Sequence, residues 1–212
     1  SAEDLVKRMT DRLAAAQTFS FSTQEKHQRL RAQGVKEVAF SREFLVKRPA
    51  GMAFKATGGE RGQATGAYDG KGLTLVWPDQ KAYAKVNMPP TIDASLDRLA
   101  KRFNMPLPVG DLLYSSAYEG LITPHTKGRY MGREKVGAVE CDHAAFTHER
   151  VEWELWVAVR GDPTPCRMTI TTKSPSGSLT SDVLFTNWNL SATAAADAFE
   201  TKVPESFERI RV

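Results

Sequence analysis

The sequence predicts a mainly β protein, α+β in class, whose antiparallel sheet curls on itself. Three observations lead there. Much of the 212-residue chain alternates apolar and polar side chains with the period of a strand. Gly-, Pro- and Asp-containing turn signals separate these stretches at regular intervals. About eight to ten strands are expected, more than the two short helices inserted among them can cover unless the sheet curves.

Taken in order, Ser1 is placed to cap a helix, with Glu3 and Asp4 in the first turn where the helix dipole favours negative charge. Leu5, Met9, Leu13 and Ala16 follow at helical spacing, so an amphipathic helix runs to about residue 17, its stripe used for core packing. A chain that opens directly in a capped helix is what a mature exported protein, or a trimmed one, is expected to show. Residues 18–30 alternate, with Phe19 and Phe21 on one side and Thr23, Glu25 and His27 continuing it in polar form. Gly34 breaks the run. In 35–48, Val38, Phe40, Phe44 and Val46 share a face with Arg42 among them. The stem of Arg42 is expected along that apolar surface with its charge in water; the alternative is a place beside an anionic head group. Pro49-Ala50-Gly51 turns the chain into 52–56, and the glycines at 58, 59 and 62 form the next turn without phosphate-loop spacing.

Residues 68–88 read as a meander. Asp69-Gly70 is expected to form a type I′ hairpin turn. Leu73, Leu75 and Trp77 then point to one face. Trp77-Pro78-Asp79-Gln80 is expected as a type I turn with proline at its preferred second position, and 82–86 returns. Pro89-Pro90 stops the strands and Thr91 caps a helix over 91–103, with Ile92, Leu96, Leu99 and Phe103 on one face. An apolar linker at 105–110 leads to a short helix at 110–116, and the two helices are placed to cover an open end or face of a sheet. Strands are expected at 127–132, 139–148, 151–159, 166–173 and 181–190, with 199–212 packing back as an edge segment. Val151, Trp153, Leu155 and Val157 share a face, with Trp156 on the reverse. Neither an internal repeat nor a compositional break divides the chain, so 1–212 is expected as a single domain.

Several function classes are set aside by the same residues. Lys and Arg number 29 against 25 Asp and Glu, a net charge of +4 that is dispersed among acids, so nucleic acid is not an expected partner. No apolar run approaches the ~18 residues of a membrane span, leaving at most peripheral or transient membrane contact. Cys141 and Cys166 allow one disulfide, in an exporting compartment, or two buried thiols. Cys141, Asp142 and His143, with His148 and Cys166, offer metal-ligating atoms but not the paired spacing of a zinc site. No Gly-x-Ser-x-Gly elbow surrounds Ser115-Ser116, and nothing in the spacing orients a cysteine towards His125, His143 or His148. Glu152 and Glu154 alternate onto the solvated face of their strand. The chain therefore reads as no enzyme, with no cofactor and no metal.

What remains is a surplus of large apolar residues on one-sided strands, which builds either a packed barrel or a cavity for an apolar ligand. Phe44-Leu45-Val46-Lys47-Arg48-Pro49, Tyr68-Asp69-Gly70-Lys71, Pro78-Asp79-Gln80-Lys81-Ala82-Tyr83 and Trp153-Glu154-Leu155-Trp156-Val157, with Pro165 and Arg167, follow a recognisable order between the first helix and a terminal Val-Pro segment. The whole chain resembles the bacterial periplasmic lipoprotein-carrier superfamily, the LolA/LolB-like fold, and within it a family of predicted periplasmic proteins of unknown function. The resemblance implies a strongly curved, half-open antiparallel barrel, an N-terminal helix and a helical lid over a hollow that holds acyl chains in the carriers. It implies export to the periplasm. A carrier arginine that holds the lid closed falls in a stretch comparable to Arg42, without a residue-for-residue match, so no role passes to it.

The expected function is non-enzymatic binding of a lipid or acyl-chain-bearing ligand; the alternative is a module that docks an envelope protein or peptide on the sheet. The expected lining is Phe40, Arg42, Phe44, Phe54, Leu73, Leu75, Trp77, Tyr83, Trp153, Leu155 and Phe185, gated by Leu96, Leu99 and Phe103 of the lid.

Overall fold

The computed structural model describes residues 1–103 and 108–211. Helix α1 spans Ala2–Ala15, followed by strands β1 (Thr18–Arg31), β2 (Gly34–Lys47), β3 (Gly51–Gly58), β4 (Ala64–Tyr68), β5 (Gly72–Trp77) and β6 (Ala82–Asn87). Helices α2 (Ile92–Phe103), α3 (Pro108–Asp111) and α4 (Ala117–Leu121) come next. The second run of strands is β7 (Lys127–Val136), β8 (Val139–His148), β9 (Val151–Ala158), β10 (Pro165–Ser174), β11 (Gly177–Asn189) and β12 (Glu208–Arg209). The strand order is β12-β6-β5-β4-β3-β2-β1-β11-β10-β9-β8-β7, a largely antiparallel twelve-stranded sheet. The outer strands β12 and β7 do not pair with each other, so the sheet is not closed. The fold class is that read from the sequence, with more strands than expected.

The chain gathers into two compact units, and β1, β2 and β11 contribute to both. Unit 1 comprises 1–15, 24–39 and 107–186; unit 2 comprises 16–23, 40–106 and 187–212.

In unit 1, the Ser1 hydroxyl accepts the Asp4 N–H at 3.1 Å, as a capping residue should. Leu5, Val6, Met9 and Leu13 form the buried stripe of α1, which packs against β7, β8 and α4. The register of β8, β9 and β10 puts Phe146 opposite Trp153 and Trp153 opposite Ile170, and Leu155 beside Ala144 and Met168. These side chains make the core under α1. The expected helix over 110–116 is corrected to two short ones, α3 and α4, on either side of a tight bend. Leu112 donates to the Val109 carbonyl and Leu113 to the Gly110 carbonyl, a three-residue spacing that ends α3. Ser115 and Ser116 favour a break over a helix interior.

Half-buried Asp111 closes α3, and burial pushes its carboxyl up to about 6 from the ordinary 3.8. The folded state thus holds this proton more tightly than the unfolded one. Its contribution to stability is complete below about pH 4 and is lost as pH rises through about 6. Asp69 and Asp142 are held below 3.8, so their opposing contributions act below that window. Asp111→Asn is expected to stabilise the protein at neutral pH by about 2 kcal/mol, allowing for partial exposure, and to flatten the dependence between about pH 4 and 7. Urea melts at mildly acidic and neutral pH check this; parallel shifts in wild type and variant count against it.

In unit 2, the expected type I′ turn is corrected by one residue. Asp69 accepts the N–H groups of Lys71 and Gly72, both at 2.9 Å, and pairs its own N–H with the Gly72 carbonyl at 3.3 Å. The central pair is therefore Gly70-Lys71, with positive φ, 86°, at Gly70 but not at Lys71, the pattern of a type II′ turn. The same two N–H groups, Gly72 first, hold the Asp69 carboxyl below its usual range. After Trp77 a 3-10 turn, Pro78–Gln80, ends at Lys81 in the left-handed region. This corrects the expected four-residue turn 77–80, because the Lys81 N–H closes on the Pro78 carbonyl and lets Trp77 pair with Ala82. Thr91 caps α2 through the Ala94 N–H at 3.2 Å. The start of α2 is tied to the sheet: Ile92 donates to the Pro49 carbonyl, and the Tyr68 hydroxyl and Ser95 hydroxyl donate to the Pro89 carbonyl. The tail ends in β12, which pairs in parallel with β6 through Glu208 and Arg209.

Candidate functional site

Directly paired residues of adjacent strands share a face. The register of unit 2 therefore aligns Phe44, Phe54, Gly66, Leu75 and Ala84 across five strands. Phe21 stacks on Phe44 with centroids 4.8 Å apart and on Trp188 at 4.4 Å. Phe54 lies tilted against Phe44 at 6.1 Å, and its ring occupies the space a side chain at Gly66 would need. The Arg42 guanidinium sits 4.8 Å from the Phe44 ring centre and 5.3 Å from that of Phe40, so it lies along the aromatic surface. Arg48 sits over Phe19 at 5.3 Å; burial lowers its pKa, opposed by Asp93. Phe19, Phe21 and Phe44 are buried, Phe40 and Phe54 half-buried.

The expected lining divides by unit and by face. Leu73, Leu75 and Trp77 share one face of β5, and Trp77 forms a small core with Ala82, Ala84 and half-buried Leu75. Tyr83 pairs with Val76 and faces the other way. On α2, Leu96 is buried and Leu99 half-buried, while the Phe103 side chain lies outside the described residues. Trp153, Leu155 and Phe185 are buried in unit 1, where Trp153 stacks on Phe146 at 4.0 Å.

A groove of about 660 Å³ opens in unit 2, most of it lined by residues that sequence reading did not single out. On each of four strands it takes in both neighbours of a residue on the aromatic face: Ser20 and Ser22, Glu43 and Leu45, Ala53 and Lys55, Thr65 and Ala67. Alternation puts these eight side chains on the reverse of the Phe44 face. The segment 198–202 borders it, and Phe199 packs over Gly51, where an added Cβ would stand 2.8 Å from the ring. Gly51, Ala53 and Lys55 alternate onto the same side. Leu45, Ala53 and Ala67 give the floor its apolar part beside the hydroxyls of Ser20, Ser22 and Thr65; Glu43, Lys55, Glu200 and Lys202 bring charges of both signs to its lining. Phe44 and Phe54 also border it.

Most of the groups that sequence reading weighed for chemistry are engaged by neighbouring side chains. Cys141 and Cys166 form a disulfide that packs against Trp156. His143 stacks on Trp156 at 4.1 Å and lies 2.7 Å from Glu134 and 2.6 Å from Glu154. Glu152 pairs with Lys173. Burial raises the Asp142 carboxyl, but hydrogen bonds from Arg133 and Tyr130 outweigh it and leave the group below its usual range. Sequence reading missed a chain in which nearly fully buried Glu25 meets His27 Nε2 at 2.8 Å while His27 Nδ1 meets the Ser181 hydroxyl at 2.8 Å. It satisfies a buried carboxylate and joins β1 to β11.

An open, largely antiparallel sheet led by an amphipathic helix and interrupted by short helices is the LppX-like class of fold. The structure of lipoprotein LppX from Mycobacterium tuberculosis is similar with a TM-score of 0.55 at 11% identity, covering 91% of this chain and 97% of that one. An uncharacterised conserved protein from Thermus thermophilus is similar with a TM-score of 0.53 at 9% identity, covering 100% and 99%. A LolA superfamily protein from Nitrosomonas europaea reaches 0.46 at 11% identity, covering 95% and 98%. The chain belongs to the DUF2092 family of predicted periplasmic proteins, whose model matches residues 2–212, and its compartment is the periplasm. No curated protein matches it.

Proposed function

We propose that the protein is a non-enzymatic periplasmic binder of a lipid or another acyl-chain-bearing ligand, working as one functional domain over 1–212. The groove on the Leu45 face carries this reading. Its volume of about 660 Å³ falls in the range of small-molecule sites, roughly 300–1,000 Å³. Leu45, Ala53, Ala67 and Ala198 offer an apolar bed, and Lys55 and Lys202 can meet a polar head. Each methylene withdrawn from water contributes about 0.8 kcal/mol before the cost of ordering the chain. Of the residues expected from sequence, Phe44 and Phe54 border the groove in this reading, and the other aromatic side chains of unit 2 stiffen its wall from behind.

Native mass spectrometry of protein purified from cells is expected to find a co-purifying lipid, and a fluorescent fatty acid is expected to bind the stripped protein. Ala53→Phe fills the bed and is expected to weaken that binding at least tenfold, a loss of about 1.4 kcal/mol, while the thermal midpoint stays near wild type. Lipid-free protein that ignores the fatty acid ends the proposal.

A further inference from the structure

We propose that unit 2 also carries an anion site that takes a multiply charged phosphate group. A hollow of about 630 Å³ opens between β6, α2 and the C-terminal segment. Five cations line it: Lys85 of β6, Arg98 and Arg102 of α2, Arg209 of β12 and Arg211 beyond it. Among the described residues no carboxylate does. In a chain whose net charge is only +4, this is a strong local concentration.

The helix dipole accounts for part of it, since cations suit the last turn of α2, where Lys101 and Arg102 stand. It does not account for the rest. Arg98 stands a full turn earlier in the helix, ahead of that last turn. Arg209 and Arg211 flank Ile210, whose N–H bonds the Tyr83 carbonyl at 2.8 Å and whose side chain packs on the Trp77 core. Anchoring Ile210 inward turns both arginines the other way. Three separate elements thus bring like charges to one hollow, an arrangement that favours a bound anion. Guanidinium forks match the paired oxygens of phosphate, and Lys85, Arg98, Arg209 and Arg211 together exceed what a single monoanion balances. The chemistry is therefore that of a diphosphate, or of a lipid head group bearing more than one phosphate. The hollow shares no lining residue with the groove on the Leu45 face, so this inference stands or falls apart from the acyl-chain reading.

Titration calorimetry with inorganic pyrophosphate at low salt is expected to show saturable one-to-one binding that weakens as salt rises. Arg98→Gln and Arg209→Gln are each expected to weaken it about tenfold to a hundredfold. Arg129→Gln, an exposed change in unit 1 that removes the same charge, is expected to leave it within about twofold. Flotation with phosphatidylcholine vesicles containing cardiolipin separates the sources. Flotation that pyrophosphate abolishes identifies a lipid head group, and pyrophosphate binding without flotation identifies a free phosphate compound. Absence of saturable heat, or an equal loss on Arg129→Gln, overturns the proposal.

Discussion

Trp153→Ala is expected to destabilise unit 1 by about 3–5 kcal/mol, the cost of removing a large aromatic side chain from a closed core. The indole stacks on Phe146 at 4.0 Å with the rings 13° from parallel, and register sets it between Phe146 and Ile170. Gly128 lies under the Phe146 ring, where an added Cβ would stand 2.8 Å from it, so the stack is packed from both sides. Such close packing leaves the neighbours little room to collapse into the cavity. Phe40→Ala is the matched contrast: that ring is half-buried, and its loss is expected to cost about 1 kcal/mol or less. Urea unfolding followed by near-ultraviolet circular dichroism measures both. Equal costs at the two positions contradict the assignment of Trp153 to a core.

Removing the Cys141–Cys166 disulfide, as the double alanine variant, is expected to cost about 3.5 kcal/mol, the loop-closure value for a sequence separation of 25. The bond reaches from the start of β8 to the start of β10, across β9, which lies between them in the sheet. Its loss frees this three-strand segment chiefly in the unfolded ensemble. Thermal melts with and without reductant provide the same measurement on the wild type. A midpoint indifferent to reductant under conditions that free both thiols refutes the expected contribution.

Much of the sheet was legible because period two is a direct consequence of pleating: the spacing of Phe44, Phe54, Leu75 and Trp77 could only be read one way. Caps were legible for a similar reason, since Ser1 and Thr91 are short oxygen-bearing side chains just ahead of apolar periodic stretches. The turn at Gly70-Lys71 was displaced by one residue because the Asp69 carboxylate takes two backbone N–H groups, and no dipeptide rule weighs that bond. Leu112 and Leu113 looked helical by composition but close a bend instead. The groove was hidden for a different reason. Ser20, Ala53, Thr65 and Ala67 are small residues of no marked hydrophobicity, and the segment that borders them, 198–202, has no period at all. Its position follows from Phe199 finding the bare backbone of Gly51, a contact between residues far apart in the chain with no shared pattern to link them. The cation cluster was dispersed in the same way, two on a helix, one on β6 and two in the segment 209–211.

The two-residue strand β12 has a consequence beyond the shape of the tail. A sheet that does not close has two free margins, and each is a template on which another chain can deposit. Along β6, the parallel pairing of Glu208 and Arg209 occupies that margin with the protein's own backbone. At the other margin, β7 has a register shift between Tyr130 and Gly132 and carries Lys127, Arg129, Arg133 and Lys135, a kinked and cationic strand ill suited to extension. Glu208 and Arg209 thereby act as a quarantine at the β6 margin, leaving that stretch of β6 no bare edge for a neighbour to extend.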